Sequence, residues 1–383
     1  MCTIGLFTRW NATCGVSMHA ELIGREFIRM GFDIKVFAPH IQSADRWWHH
    51  RIVREDEEFV IRCYDEIPPS RKGYGNIEED KILREDFDYL IVESYTPMPQ
   101  ERLERLIPRM RREKKDLKVV AVIHEGAREH IRYDIRIFDA VVVFDERYVD
   151  EIFKLDSAYR MNAGDAVRVS DAVVVNVGAA DFYEAYEAPL IEVIPYPCMP
   201  VLRRWIRKFG EDGYIKFFSF GRQIFEEYND YIHALDELSA EYDILYHVVR
   251  SDGLLPISRD WLVQERRRLS NKALYDMLHS SDIHLLPKSP TKFVVVSSTL
   301  HQCLGSLCIT VVPDTRHFEM LPKIGEEKPA VVYENVEDLV NKLRALINDG
   351  EYRENVRDAA MKYVEKNRCD KIAKKFIQLF HRI

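Results

Sequence analysis

The sequence predicts an α/β protein of two domains, each a parallel sheet with helices on both faces. Three observations carry that prediction. In the first half, short apolar runs alternate with stretches of helical periodicity, the rhythm of a doubly wound sheet. The segment Ile194-Pro195-Tyr196-Pro197-Cys198-Met199-Pro200 then interrupts it with three prolines, which remove backbone donors and break both helix and sheet. Beyond that segment the same rhythm starts again. A chain of 383 residues is long for one domain, since about 150 residues per domain is usual. The expected division is residues 1–197, residues 198–369 and a terminal helix over 370–383 that packs back toward the first domain, the two domains being Rossmann-like and facing each other across a cleft.

Taken in order, Thr3 to Thr8 reads as a buried strand ending in the loop Arg9 to Cys14. Val16, Ala20, Ile23, Phe27 and Met30 follow at helical spacing, and Gly31 stands where a helix C-cap belongs. Further strands are read at 33–38, 59–63, 89–93, 119–123 and 140–144. After the prolines, strands are expected at 214–220, 242–249, 282–286, 308–312 and 330–333, and helices at 336–348, 351–365 and 370–380. Asp-Ala-Val-Val-Val occurs at both Asp139 and Asp171, which two buried strands with similar openings explain without a repeat architecture.

Composition narrows the class. Hydrophobic residues make up 46% and charged residues 31%, enough to bury a core. A net charge of −8 argues against binding driven by neutralising nucleic-acid phosphates. No apolar run approaches the roughly 18 residues of a membrane helix, and the first residues read as a strand rather than a signal peptide. The seven cysteines are scattered without a Cys-x-x-Cys pair, so neither a disulfide framework nor a zinc site is expected, and a reducing cytoplasm fits. Abundant Glu, Lys and Arg with scarce Gln is a compositional hint of a thermophilic source.

Ligands of doubly wound sheets bind beyond the carboxyl ends of the strands, which selects four loops. In Arg9 to Val16, Gly15 allows close backbone approach and the next helix offers free N–H groups; an ordinary strand-to-helix turn is the other reading. Gly-x-Gly-x-x-Gly is absent, which disfavours a dehydrogenase. His124 follows the strand at 119–123 and suits a sugar hydroxyl or developing charge, or is structural. Arg222, after Phe220-Gly221, suits a diphosphate. Lys288 to Lys292 leads to Ser297, Ser298 and Thr299 at a helix start, which is either a phosphate seat or a solvated loop before a capped helix. Trp47 and Trp48, flanked by Arg46 and His49, are candidates for stacking on an acceptor sugar or touching a membrane surface, or for packing a long loop.

In order and spacing these segments resemble the GT-B glycosyltransferases of family four, the retaining nucleotide-sugar enzymes. The resemblance spans nearly the whole chain and is strongest after the prolines. It rests on Ile194-Pro195, on Phe218-Ser219-Phe220-Gly221-Arg222, on Ala273-Leu274-Tyr275 with Ser281-Asp282-Ile283, and on Leu304-Gly305-Ser306 before Cys308-Ile309-Thr310-Val311-Val312. It implies that Gly15 lies beside the diphosphate and acceptor, that His124 contacts the transferred sugar, and that Arg222 binds diphosphate. The sequence departs from the family at Glu227, where a lysine is usual, and at Thr291 and Thr299, which align with a pair of donor-binding glutamates. Lys292, Ser297, Ser298 and Thr299 are the expected replacements.

The function so implied is transfer of a hexose from a nucleotide-diphosphate sugar to a hydroxyl acceptor with retention, with no tightly bound cofactor. No Asp-x-Asp motif or metal-ligand spacing marks a required ion, so Arg222, the lysines and helix dipoles would offset the leaving-group charge. A degenerate binding subunit and a sugar-nucleotide epimerase are the alternatives. A nucleotide sugar and a sugar, lipid-linked or small-molecule acceptor are the expected partners, and nucleic acid is not.

Overall fold

The computed structural model describes residues 2–44, 51–67, 75–153, 188–202, 206–322 and 327–383. Trp47, Trp48 and the second Asp-Ala-Val-Val-Val segment lie outside the described residues. The chain divides into two compact units. The first holds Met1–Pro197, Phe293–Val295 and Cys369–Ile383; the second holds Cys198–Lys292 and Val296–Arg368.

The first unit runs β1 Thr3–Phe7, α1 Gly15–Arg29, β2 Asp33–Pro39, α2 Ile41–Ala44, β3 Val60–Tyr64, α3 Glu79–Leu83, β4 Tyr89–Ser94, α4 Gln100–Glu113, β5 Lys118–Ile123, β6 Ala140–Val143, α5 Glu146–Tyr148 and β7 Leu190–Val193. Among the described residues, seven strands form one sheet in the order β3-β2-β1-β4-β5-β6-β7. All neighbours are parallel, with β1 paired to both β2 and β4 and β5 paired to β4 and β6. The central strands are mostly apolar and buried, as a sheet covered on both faces requires, with Glu93 a buried charged exception in β4. Gly31, with φ of +89°, follows the C-cap of α1 in the left-handed region where a residue without Cβ is favoured.

The second unit runs β8 Ile215–Gly221, α6 Asn229–Leu238, β9 Ile244–Arg250, β10 Leu262–Arg266, α7 Asn271–His279, β11 Ile283–Leu285, α8 Ser298–Cys303, β12 Ile309–Pro313, β13 Val331–Tyr333, α9 Val336–Asn348 and α10 Gly350–Lys366. Among the described residues, its six strands are ordered β10-β9-β8-β11-β12-β13, again with every pair parallel. One core, built on Phe217, Tyr231, Leu235, Tyr246, Val311 and Leu343, packs α6 and α9 on one face of the sheet. A second, with Leu286, Leu300, Val312 and Val364, lies under α10. In both sheets the chain reverses its direction of winding at the first strand, between β1 and β4 and between β8 and β11. The crevice at such a switch point is where doubly wound sheets take their ligands.

The last helix, α11 Cys369–Phe380, belongs to the first unit and packs against α1. Ile372, Phe376 and Leu379 recur at helical spacing and are fully buried. Among the described residues, no helix is long and apolar enough to cross a membrane.

Candidate active site

Strand β4 borders the switch point of the first sheet with β5 beside it, and each carries a titratable residue at or just past its carboxyl end. Glu93 is the second-last residue of β4, and His124 directly follows β5. The carboxylate of Glu93 is fully buried, and His124 Nε2 lies 2.6 Å from its Oε2. His19 of α1 reaches the other oxygen, its Nδ1 standing 2.7 Å from Oε1. One carboxylate therefore bridges two imidazoles. The ring of His19 is walled in by Phe144, Tyr196 and Phe376, and its Nε2 has no hydrogen-bond partner. Burial holds the His19 pKa down at about 3. Burial also lowers His124, against the opposing pull of Glu93, and raises Glu93, against the opposing pull of His124.

His19, Glu93 and His124 place one ligand atom each within 4.8 Å of one another, the one such group among the described residues. Two imidazoles and a carboxylate are a donor set that suits a transition metal. The same atoms already satisfy one another as hydrogen bonds, so the carboxylate is accounted for without an ion.

Glu125 adds a second buried carboxyl beside this cluster. Its Oε1 accepts hydrogen bonds from Ser94 Oγ at 2.7 Å and Gln100 Nε2 at 2.8 Å, while Oε2 has none. Tyr133 donates in turn to Ser94. Burial pushes the Glu125 pKa up to about 7.

Gly15 opens α1 in the loop from Arg9 to Val16. Its carbonyl accepts the Tyr196 hydroxyl at 2.6 Å, and the Sγ of Cys14 caps the helix by accepting from Ser17 N. The rest of that loop is held by its own contacts. Arg9 is buried and forms a forked ion pair with Glu66, and Trp10 donates to Glu57.

In the second unit, Arg222 directly follows β8 and is half-buried. Gly221 before it has a φ of +132°, a conformation that L side chains rarely adopt. Strand β11 is paired to β8, so the loop after β11 emerges beside Arg222. That loop is anchored by Glu227, whose Oε1 accepts from Ser289 N at 3.0 Å. Lys288 is half-buried here. Burial lowers its pKa, Glu227 opposes that shift and Arg222 adds to it. Lys292 is exposed, and its carbonyl accepts from Arg316 Nη1. Ser297 is the N-cap of α8, its hydroxyl accepting from Leu300 N at 3.3 Å, while Ser298 and Thr299 form the first turn.

The fold thus brings together Arg222, Glu227 and Lys288. It assigns the Ser297 hydroxyl to capping and leaves Lys292 on the surface. Sequence reasoning missed Glu93 and His19. A signal existed for each: Glu93 is the charged residue in a buried strand whose preceding residues are all hydrophobic, and His19 lies one turn from Val16 and from Ile23 on the buried stripe of α1.

No protein-family profile matches the sequence. Solved structures do match over its whole length. Trehalose-6-phosphate synthase OtsA is 11% identical with a TM-score of 0.66, covering 100% of this chain and 99% of that one. HepE from Anabaena, in complex with UDP and glucose, is 11% identical with a TM-score of 0.63, covering 100% of both. An alpha-glucosyltransferase in complex with UDP is 13% identical with a TM-score of 0.63, again covering 100% of both. At such identities the likeness fixes the fold, and the fold is that of the GT-B glycosyltransferases.

Proposed function

We propose that this chain is a glycosyltransferase that moves a hexose from a nucleotide-diphosphate sugar to a hydroxyl acceptor with retention of configuration. The observation that carries the reading is the full-length GT-B fold shared with chains solved with UDP. The site chemistry supports it. Breaking the bond between the sugar and the diphosphate leaves negative charge on phosphate oxygens. Arg222 offers a planar fork to those oxygens, and Lys288 adds a point charge from the neighbouring strand end. In the first unit, His124 faces the transferred sugar and Gly15 lies where backbone must come close to a ligand.

In this reading the cation expected at Lys292 is supplied by Lys288. Glu227, standing where related enzymes carry a lysine, holds the 288–289 backbone in place. Ser298 and Thr299 remain candidates for phosphate contacts. Helix α8 has six residues, so its dipole contributes less than the two cations. With the leaving group neutralised by side chains, turnover proceeds without a metal ion.

A panel of nucleoside diphosphates and nucleotide sugars, read as a rise in melting temperature, tests the reading. A ligand at a hundred times its dissociation constant stabilises by roughly 2.7 kcal/mol. Arg222→Ala is expected to weaken diphosphate binding about ten- to a hundredfold, the scale of one charge-assisted hydrogen bond, with nucleoside affinity unchanged. Lys288→Ala is expected to weaken it less, and Lys292→Ala least. Turnover of the preferred donor should survive EDTA. A chain that binds no nucleotide, or binds one and transfers to no acceptor, would defeat the proposal.

A further inference from the structure

The His19–Glu93–His124 cluster has more structure than a single histidine at a strand end requires. Each carboxylate oxygen of Glu93 meets a different imidazole nitrogen, at 2.7 Å and 2.6 Å. Two contacts of that length to one carboxylate each need a proton between nitrogen and oxygen. For an ionised Glu93 both protons come from the rings, so His19 carries its proton on Nδ1 and His124 on Nε2. Burial works against that state by raising the Glu93 pKa, and the hydrogen bonds to the rings work for it. Two N–H donors stabilise the charged carboxylate, and the Arg9 guanidinium lowers the His124 pKa, which keeps that ring neutral. The burial that keeps both histidines neutral leaves each ring one proton, already committed to Glu93.

The consequence lies on the opposite side of each ring. For His19 the remaining nitrogen is Nε2, enclosed among Phe144, Tyr196 and Phe376 with no partner. For His124 it is Nδ1, on a side chain that is 10% exposed. We infer that Glu93, braced from behind by His19, fixes His124 as the Nε2–H tautomer, so that His124 presents a lone pair and accepts a hydrogen bond from a hydroxyl of the transferred sugar. Glu93 and His19 are positioning residues; His124 alone touches the ligand. A cationic or donating His124 would favour phosphate or a carbonyl oxygen. An accepting one selects a donor sugar that carries a hydroxyl at that point and gains nothing from a deoxy or fluoro analogue. The sugar contact rests on the glycosyltransferase reading; the tautomer does not.

The tautomer is measured first, on the intact protein without ligand. Ring-nitrogen NMR at neutral pH, with the signals assigned by their loss in His124→Gln, should show a protonated Nε2 and an unprotonated Nδ1. A protonated Nδ1 or an imidazolium at pH 7 overturns the inference whatever the protein catalyses. In His19→Phe the carboxylate loses its second donor and its charge falls on His124, so the His124 titration should move to higher pH. His19→Gln, which retains an N–H donor, should restore it. A purely space-filling His19 predicts no movement in either variant, and that result also overturns the bracing role.

The second arm uses donor analogues lacking one sugar hydroxyl at a time. One analogue should lose about ten- to a hundredfold in kcat/KM with the native protein, the scale of one hydrogen bond within a site. The same analogue should lose little further in His124→Phe. If every deoxy analogue loses equally in both proteins, His124 accepts from no sugar hydroxyl. If the tautomer is as inferred but no nucleotide sugar is turned over, the glycosyltransferase reading falls and the positioning of His124 stands.

Discussion

Gly126 shows how closely the backbone is packed at the candidate site. A Cβ at this position would lie 2.3 Å from the Val294 carbonyl oxygen and 2.8 Å from Phe293 Cβ. The Gly126 carbonyl accepts a hydrogen bond from Val294 N at 3.1 Å, so the two backbones are joined where they are closest. Neither can retreat without losing that bond. Gly126→Ala is therefore expected to destabilise the protein by about 1–3 kcal/mol, the usual cost of forcing an extra methyl group into a filled space. For a unit of this size each kcal/mol lowers the melting temperature by roughly 2–4 °C, which differential scanning calorimetry would resolve. An alanine protein as stable as the native one would mean that the two segments are not in contact. The sequence made His124-Glu125-Gly126 stand out, because a histidine and a glycine close an apolar strand. It could not show that the glycine answers to residues some 170 positions away, nor that His124 leans on Glu93. Both are long-range contacts with no local pattern.

At the scale of elements, strand and helix assignments were most legible where burial was greatest. The central strands and the helices over 336–348 and 370–380 follow from apolar runs and helical spacing, and the structure has them within a residue or two. Two strands, β7 Leu190–Val193 and β10 Leu262–Arg266, have no counterpart in the sequence reading. Both are edge strands, short and partly exposed, with Glu192 in one and Gln264 and Glu265 in the other, so neither forms an apolar run. The terminal helix α11 is the opposite case. Phe376 is fully buried and packs against Phe27 of α1 at 6.4 Å between ring centres and against His19 at 6.1 Å. Phe380 stacks on Tyr89 at 4.2 Å, and the Cys369 thiol donates to Glu26. Removing a buried phenylalanine ring typically costs about 3–5 kcal/mol. Phe376→Ala should show a loss of that size in urea unfolding, with a chain ending before Cys369 failing to fold its first unit. A loss under 1 kcal/mol would mean that α11 is an accessory element. The ring also closes one wall around His19, so the helix that ends the chain helps to keep that imidazole dry and neutral.

At the scale of the whole molecule, His19 in the first unit and His284 in the second are both fully buried imidazoles, and the two differ in what opposes them. His19 is paired with Glu93, whose own pKa is raised by burial. A carboxylate with a raised folded pKa stabilises at low pH and loses that contribution as pH rises, which offsets part of the His19 effect. His284, in β11 of the second unit, has no such counterweight. Its Nδ1 lies 3.4 Å from the Thr310 hydroxyl, its Nε2 has no partner, and Phe218 and Phe220 flank the ring. Desolvation by burial alone lowers its pKa from 6.5 to about 3. The sign follows from proton counting. Below pH 6.5 the unfolded chain takes up a proton on this imidazole and the folded chain does not, so stability falls as the pH drops, until the folded state also protonates near pH 3. The slope is about 1.4 kcal/mol per pH unit for one proton. Urea unfolding between pH 6.5 and pH 4.5 should therefore show the native second unit losing stability faster than a His284→Leu variant, by about that slope. The substitution also changes packing in β11, which shifts both curves by a constant; the difference in slope isolates the titration. Parallel curves would mean that the imidazole takes up its proton within the folded sheet, and that the strand end leading to Lys288 is wetter than the buried ring implies.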